Sequence, residues 1–231
     1  CMGEVVKEDL FVAQIVEEHA AKSEEVKKQP TSTFLKDNFW PSRIEESPLG
    51  NWITDILGEA LANEGVAVDI VFYNSGGLRS PIGPGFVTYG DIYSILPYEN
   101  KLAVVSLTGK HIRKLVDMSV QTGGDNSFSL SGFTFELNEE CEIIEMKIAG
   151  MDVEDDRVYN LATSDFLASK DGGFNAKLGL AERDIRIYED KESLRDIIFN
   201  YLYLRDQNVE SSIEDFYNSL KPRQSFPVHC Q

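Results

Sequence analysis

The sequence predicts an α+β fold, a single domain in which helices flank a mixed β-sheet. Three observations carry this. Between Ser47 and Met118, strand-like and helix-like segments alternate. From Phe133 to Thr163 short strand candidates follow one another between polar turns, as in an antiparallel or mixed sheet. The chain has 231 residues with 42% hydrophobic content, enough for a real core, and no internal repeat or long linker divides it.

Taken in order, Lys7 to Lys28 place Leu10, Phe11, Ile15 and Val16 near helical spacing among Glu and Lys, which predicts an amphipathic lead-in helix there, with residues 1–30 as lead-in helix and linker. The remaining residues, 31–231, form the domain proper. Thr31 to Arg43 read as a strand or an ordered crossing loop. Ser47-Pro48 is a helix start, Ser supplying a cap and Pro its preset φ, with Trp52, Ile53, Ile56, Leu57, Ala60 and Leu61 on the buried side of a helix to about Ala62. Val66 to Tyr73 form a buried strand, rich in Val and Ile and ended by Asn-Ser-Gly-Gly. Thr88 caps a short helix through Leu96, Leu102 to Leu107 make a strand, and Thr108-Gly109 open another helix. Strands follow at Phe133–Leu137, Ile143–Ile148 and Val158–Thr163. Lys191 to Leu204 carry a C-terminal helix on Leu194, Ile197, Ile198, Tyr201 and Leu202, before the acidic Asn208–Asp215 stretch and a shorter helical piece to Leu220.

A net charge of −17 repels polyanions and argues against a nucleic acid partner, so an anionic ligand must be held by local cations. No apolar run is long enough for a transmembrane segment. Cys1, Cys141 and Cys230 lie far apart with no metal-ligand or redox spacing, so neither a zinc site nor a disulfide framework is indicated. The histidines, His19, His111 and His229, join no H-x-H or D-x-H grouping; a two-metal hydrolytic centre needs several such ligands together, so neither catalytic nor metal-ligating residues are expected in this chain.

The best ligand-site candidate is the strand-end loop Asn74-Ser75-Gly76-Gly77-Leu78-Arg79. Its glycines let the backbone approach a ligand, Asn74 can read a donor and acceptor edge, and Arg79 offers a planar fork to phosphate or carboxylate. A plain tight turn is the alternative for the same residues. Tyr98 and Phe166 stand at element ends, where two ring faces could sandwich a base. Ser169-Lys170-Asp171-Gly172-Gly173-Phe174 is a second glycine-rich loop, with a carboxylate able to accept from ribose hydroxyls.

An ordered set of motifs now stands out: Arg43…Glu46…Leu49-Gly50-Asn51, Asn74 through Ile82, Gly85…Thr88…Asp91, Ile95-Leu96-Pro97-Tyr98…Asn100, Leu107-Thr108-Gly109, and Phe166-Leu167-Ala168…Gly173-Phe174. In this the chain resembles the C-terminal, substrate-binding domain of the 5′-nucleotidase and UDP-sugar hydrolase family. The resemblance implies a nucleotide or nucleoside ligand, held for a separate N-terminal metallophosphoesterase domain that carries two divalent metal ions, with no cofactor in the C-terminal domain itself. It implies Arg43 and Arg79 on the phosphate, Asn74 on the base, and Tyr98 and Phe166 on the two base faces. Tyr98 stands where many members have Phe, which keeps the stacking face. Asp171 lies one position early against the family's Gly-Gly-Asp-Gly-Phe, a displacement that turns a side chain away unless the neighbouring glycines re-aim it. An extracytoplasmic location is expected, periplasmic, cell-surface or secreted, with Cys1 a candidate lipid attachment point. The competing expectation is a free-standing extracytoplasmic protein of the same fold that binds or scaffolds without catalysis.

Overall fold

The computed structural model describes residues 20, 22–42, 46–121, 128–169, 174–205, 209–211, 223–225 and 230. Most of the lead-in helix lies outside them, as does the helical piece expected up to Leu220; within them, 22–27 are helical. Strand β1 (Pro30–Leu35) covers the start of the expected extended segment. Helix α1 (Pro48–Asn63) begins as its sequence predicts, with the Ser47 hydroxyl accepting from the Gly50 N–H and Pro48 in the first turn.

Strand β2 (Ile70–Asn74) is shorter than expected. Val66 N–H is spent on the Leu61 carbonyl at the end of α1, so the apolar run turns off the helix before any partner strand is within reach. After β3 (Gly85–Thr88) comes α2 (Tyr89–Ile95), then β4 (Leu102–Thr108) and α3 (Gly109–Gln121). The second half supplies β5 (Phe128–Ser131), β6 (Phe133–Leu137), β7 (Ile143–Ile148), β8 (Met151–Asp152) and β9 (Val158–Ser164). Short helical turns α4 (Asp165–Ala168) and α5 (Asn175–Leu178) lead to β10 (Ile185–Ile187) and α6 (Leu194–Leu204). The strands β11 (Val209–Ser211) and β12 (Gln224–Ser225) come from the C-terminal segment.

A five-stranded mixed sheet, ordered β10-β4-β9-β2-β5, forms the middle layer. Period-two alternation divides its side chains between two cores. Val71 and Tyr73 join Trp52, Ile56 and Leu57 of α1 and Ile198 of α6 on one face. Ile70 and Phe72 join Ile112 and Val116 of α3, with Phe133 and Phe135 of β6, on the other. Burial on both faces is why the β2 run is continuously apolar rather than alternating. A four-stranded sheet, β12-β6-β7-β8, backs the second core, and a three-stranded sheet, β11-β1-β3, flanks the first.

The cysteines require a correction, because Cys141 and Cys230 form a disulfide across 89 residues, with Cα atoms 5.5 Å apart. Their spacing along the chain gives no hint of it. Cys141 lies in the turn between β6 and β7 and Cys230 beyond β12, which pairs with β6, so the topology rather than a local motif brings the thiols together.

Candidate functional site

Strand pairing brings the Asn74–Arg79 loop, Tyr98 and Phe166 to one end of the central sheet. β2 runs parallel to β9, with Val71 opposite Ala162, so Asn74 and Ser164 end their strands on the same side. β4 runs antiparallel to β9, with Leu102 opposite Ser164, so the loop entering β4 begins there too. Three loops therefore meet at this end: the one carrying Asn74 to Arg79, the one carrying Tyr98 to Lys101, and the turn carrying Phe166. Ligands of open α/β sheets bind outside strand ends of this kind.

Two backbone bonds lock the loops together. Arg79 N–H donates to the Ile95 carbonyl at 2.9 Å, tying the glycine loop to the end of α2, and Asp165 N–H donates to the Lys101 carbonyl at 2.9 Å, tying the Phe166 turn to the start of β4. The glycine loop itself is a tight 3₁₀ turn over Ser75–Gly77. Gly77 is required in it: a Cβ there would lie 2.6 Å from Tyr73 Cε1 and 2.9 Å from Asn74 Oδ1. The turn expected for these residues is therefore present, with its exposed side chains at the end of β2.

Arg79 is exposed, and its Nη1 donates to the Gly76 carbonyl at 3.0 Å, which holds the guanidinium over the loop. Four N–H groups of the fork remain for an anion. Tyr98 and Phe166 expose 52% and 53% of their surface, although large aromatics elsewhere on these strands, such as Tyr73 and Phe72, are buried. Phe166 sits in the helical turn α4 rather than in a loop, capped by the Ser164 hydroxyl accepting from Leu167 N–H at 3.2 Å. The chain beyond it returns to the core through Phe174, which meets Phe72 edge to face at 5.6 Å. Arg43 and Asp171 lie outside the described residues.

Sequence reasoning gave no role to the floor and the brace of this site. Tyr73 lies beneath it, its hydroxyl accepting from Asn100 Nδ2 at 3.5 Å. Burial pushes the Tyr73 phenol above its ordinary value, partly offset by the hydrogen bond from Asn100. The brace is Arg195 on α6, only 4% exposed, whose Nη1 faces the carbonyls of Leu96 and Pro97 at 3.5 and 3.4 Å and whose guanidinium lies 4.7 Å from the Tyr93 ring. It fixes the stretch immediately before Tyr98. An arginine in helical step with Ile198 and Leu202, on an otherwise apolar helix face, was its one signal in the sequence.

Among the described residues no group of three or more His, Cys, Asp or Glu could hold a metal ion. His111 is engaged at the start of α3, its Nδ1 3.1 Å from the Thr108 hydroxyl. These described residues do not fit a two-metal centre.

Comparison with known proteins adds to this geometry. The family model described as 5′-nucleotidase, C-terminal domain matches residues 26–178. The chain is similar to endonuclease YhcR of Bacillus subtilis, with 31% identity over 58% of this chain and 11% of that protein. It is similar to the NAD 5′-nucleotidase of Haemophilus influenzae, with 25% identity over 72% of this chain and 31% of that one. The solved 5′-nucleotidase precursor of Thermus thermophilus shares the fold, with a TM-score of 0.72 and 23% identity over 95% of this chain and 43% of its own. In each case the chain spans less than half the length of the protein it matches.

Proposed function

Since the chain belongs to the family of 5′-nucleotidase C-terminal domains, we propose that its strand-end cleft holds a nucleotide or nucleoside and presents it to a separate metal-bearing phosphoesterase domain. One observation carries the reading: two half-exposed aromatic rings, Tyr98 and Phe166, stand at the same end of the sheet as the Asn74–Arg79 loop. A base between two rings gains about 1–3 kcal/mol per stacked face. The Asn74 amide then reads the base edge, and Arg79, with Arg43 from the segment before α1, takes the phosphate in charge-assisted hydrogen bonds. Gly76 and Gly77 keep that loop free of side chains where the ligand approaches. Asp171 is the candidate for the ribose hydroxyls.

The division of labour rests on the donor set. In this reading the attack on phosphorus belongs to a metal-bearing partner domain, as in the family arrangement; among the described residues no group of three or more His, Cys, Asp or Glu could hold a metal ion. The disulfide between Cys141 and Cys230 supports an extracytoplasmic location, because such bonds persist in oxidising compartments. No helix among the described residues is long and apolar enough to cross a membrane.

Calorimetric titration of the chain with AMP, adenosine and UDP-glucose tests the reading. Binding of at least one of them is expected. Arg79→Ala should weaken a phosphorylated ligand by about 1.5–3 kcal/mol and leave adenosine nearly unchanged, whereas Tyr98→Ala should weaken both by about 1–3 kcal/mol and Tyr98→Phe should not. A folded sample that gives no heat with any of the three would remove the nucleotide reading.

A further inference from the structure

We propose that Arg223 is a positioning residue for the nucleotide cleft, and that β12 is a strap fixing the Asn74 side of it; this rests on the nucleotide-binding reading above. The strap lies beyond residues 26–178, the stretch that the family model matches. Its role comes from what its side chains touch.

β5 ends the central sheet and has a partner strand, β2, on one side only. An open strand edge leaves backbone groups unsatisfied and the strand free to slip. Here the edge is closed by side chains. Gln224 Nε2 donates to the Phe128 carbonyl at 2.7 Å, and Arg223 Nη1 donates to the Leu130 carbonyl. The strap is itself held: β12 pairs in parallel with β6, Phe135 N–H donates to the Arg223 carbonyl at 2.9 Å, and Cys230 is bonded to Cys141 in the turn after β6. It thereby joins the central and backing sheets.

Arg223 reaches further than the edge. Its guanidinium, in a side chain only 4% exposed as a residue, pairs with Asp55 on α1, and Asp55 also accepts from the Ser131 hydroxyl at 2.7 Å. Its backbone N–H donates to both carboxylate oxygens of Glu46 at 3.1 Å, and Glu46 accepts from the Asn51 side-chain amide as well. One residue thus binds the entry to α1, the body of α1 and β5. Of these, β5 lies directly beside the strand that carries Asn74. Phe128 is the cross-strand partner of Asn74 and Ser129 that of Tyr73. Glu46 follows Arg43 by three positions. The first turn of α1 lies so close to β5 that a Cβ on Gly50 would come 1.7 Å from Ser129 Oγ, so α1 packs directly on β5.

The test uses the full chain, with hydrogen exchange and AMP calorimetry on wild type, Arg223→Gln, Gln224→Ala and the double variant Cys141→Ser/Cys230→Ser. Arg223→Gln should speed exchange of β5 amides and of residues 46–51 about tenfold or more while β4 and β10 stay protected, shift the Asn74 side-chain amide resonance in the free protein, and weaken AMP at least tenfold. Because removing one partner of a buried ion pair can prevent folding, Gln224→Ala carries the same expectation in milder form, with faster exchange at Phe128 to Leu130 and about threefold weaker AMP binding. The double serine variant should lie between these and wild type. Gln224→Ala with wild-type exchange on β5 and wild-type AMP affinity overturns the proposal. If wild type binds no nucleotide, the functional reading fails, and exchange alone still decides whether the strap holds β5.

Discussion

Adjacent glycines in the Asn74 to Arg79 loop carry different burdens, and that difference is measurable. A methyl group on Gly77 would press on the Tyr73 ring at 2.6 Å and on Asn74 Oδ1 at 2.9 Å, whereas one on Gly76 would meet only Asn74 Nδ2 at 3.5 Å, an ordinary contact. Tyr73 is buried and cannot yield without disturbing α1, so the strain falls on the Asn74 amide that would read the base. Gly77→Ala should therefore cost about 1–3 kcal/mol in stability, the usual range for overpacking, and abolish detectable AMP binding. Gly76→Ala should leave the unfolding midpoint near wild type and change affinity little. Thermal denaturation and calorimetry on the two variants check this; equal behaviour would mean that the loop gives way as a whole. The sequence foretold the glycines because Asn-x-Gly-Gly ends an apolar run. It was silent on which one is indispensable, since that depends on the Tyr73 ring folding back beneath the loop.

Elements whose ends carry their own chemistry were readable, and those that exist only through pairing were not. Ser47-Pro48 and Thr88 both mark helix starts through side-chain bonds made within a few residues, and β6 and β7 keep the limits expected from alternation between polar turns. β5, β10 and β12 are short and are defined by a neighbour far along the chain, so no local pattern announced them. The Thr88 cap bears on function as well. Its hydroxyl accepts from Asp91 N–H at 3.2 Å while Asp91 Oδ2 accepts from Thr88 N–H at 2.8 Å, a reciprocal capping box, and the helix it starts runs straight into Leu96-Pro97-Tyr98. Thr88→Ala should cost about 1 kcal/mol of stability. Because Arg195 still grips the Leu96 and Pro97 carbonyls from α6, the AMP affinity should fall by less than the stability does. Chemical denaturation beside calorimetry separates the two; a larger loss in affinity than in stability would show that α2, and not α6, sets the Tyr98 ring.

The layers of the molecule leave the strand ends as the place for a ligand. The central sheet is covered on both faces by the two cores, which leaves the strand ends open, and the end where β2 and β9 stop gathers an exposed guanidinium and two exposed rings. The chain carries a net charge of −17, and a nucleotide meets that field unless cations stand close to its phosphate. At such an end Arg79 is worth more than its single charge, because no carboxylate among the described residues lies within ion-pair distance of it. The same field makes binding depend on salt in an unusual direction: screening the repulsion between the acidic surface and a dianion should partly offset the weakening of the local Arg79 contact. AMP affinity should then vary less than about threefold between roughly 0.05 and 0.5 M salt, whereas Arg79→Ala, which keeps the repulsion and loses the contact, should bind better as salt rises. Phosphate assays belong to the same experiment. Incubated with AMP and Mn²⁺, the chain alone should bind and release no phosphate, since the described residues gather no metal-binding group; metal-dependent release that co-purifies with the chain would place the reacting groups in this domain after all.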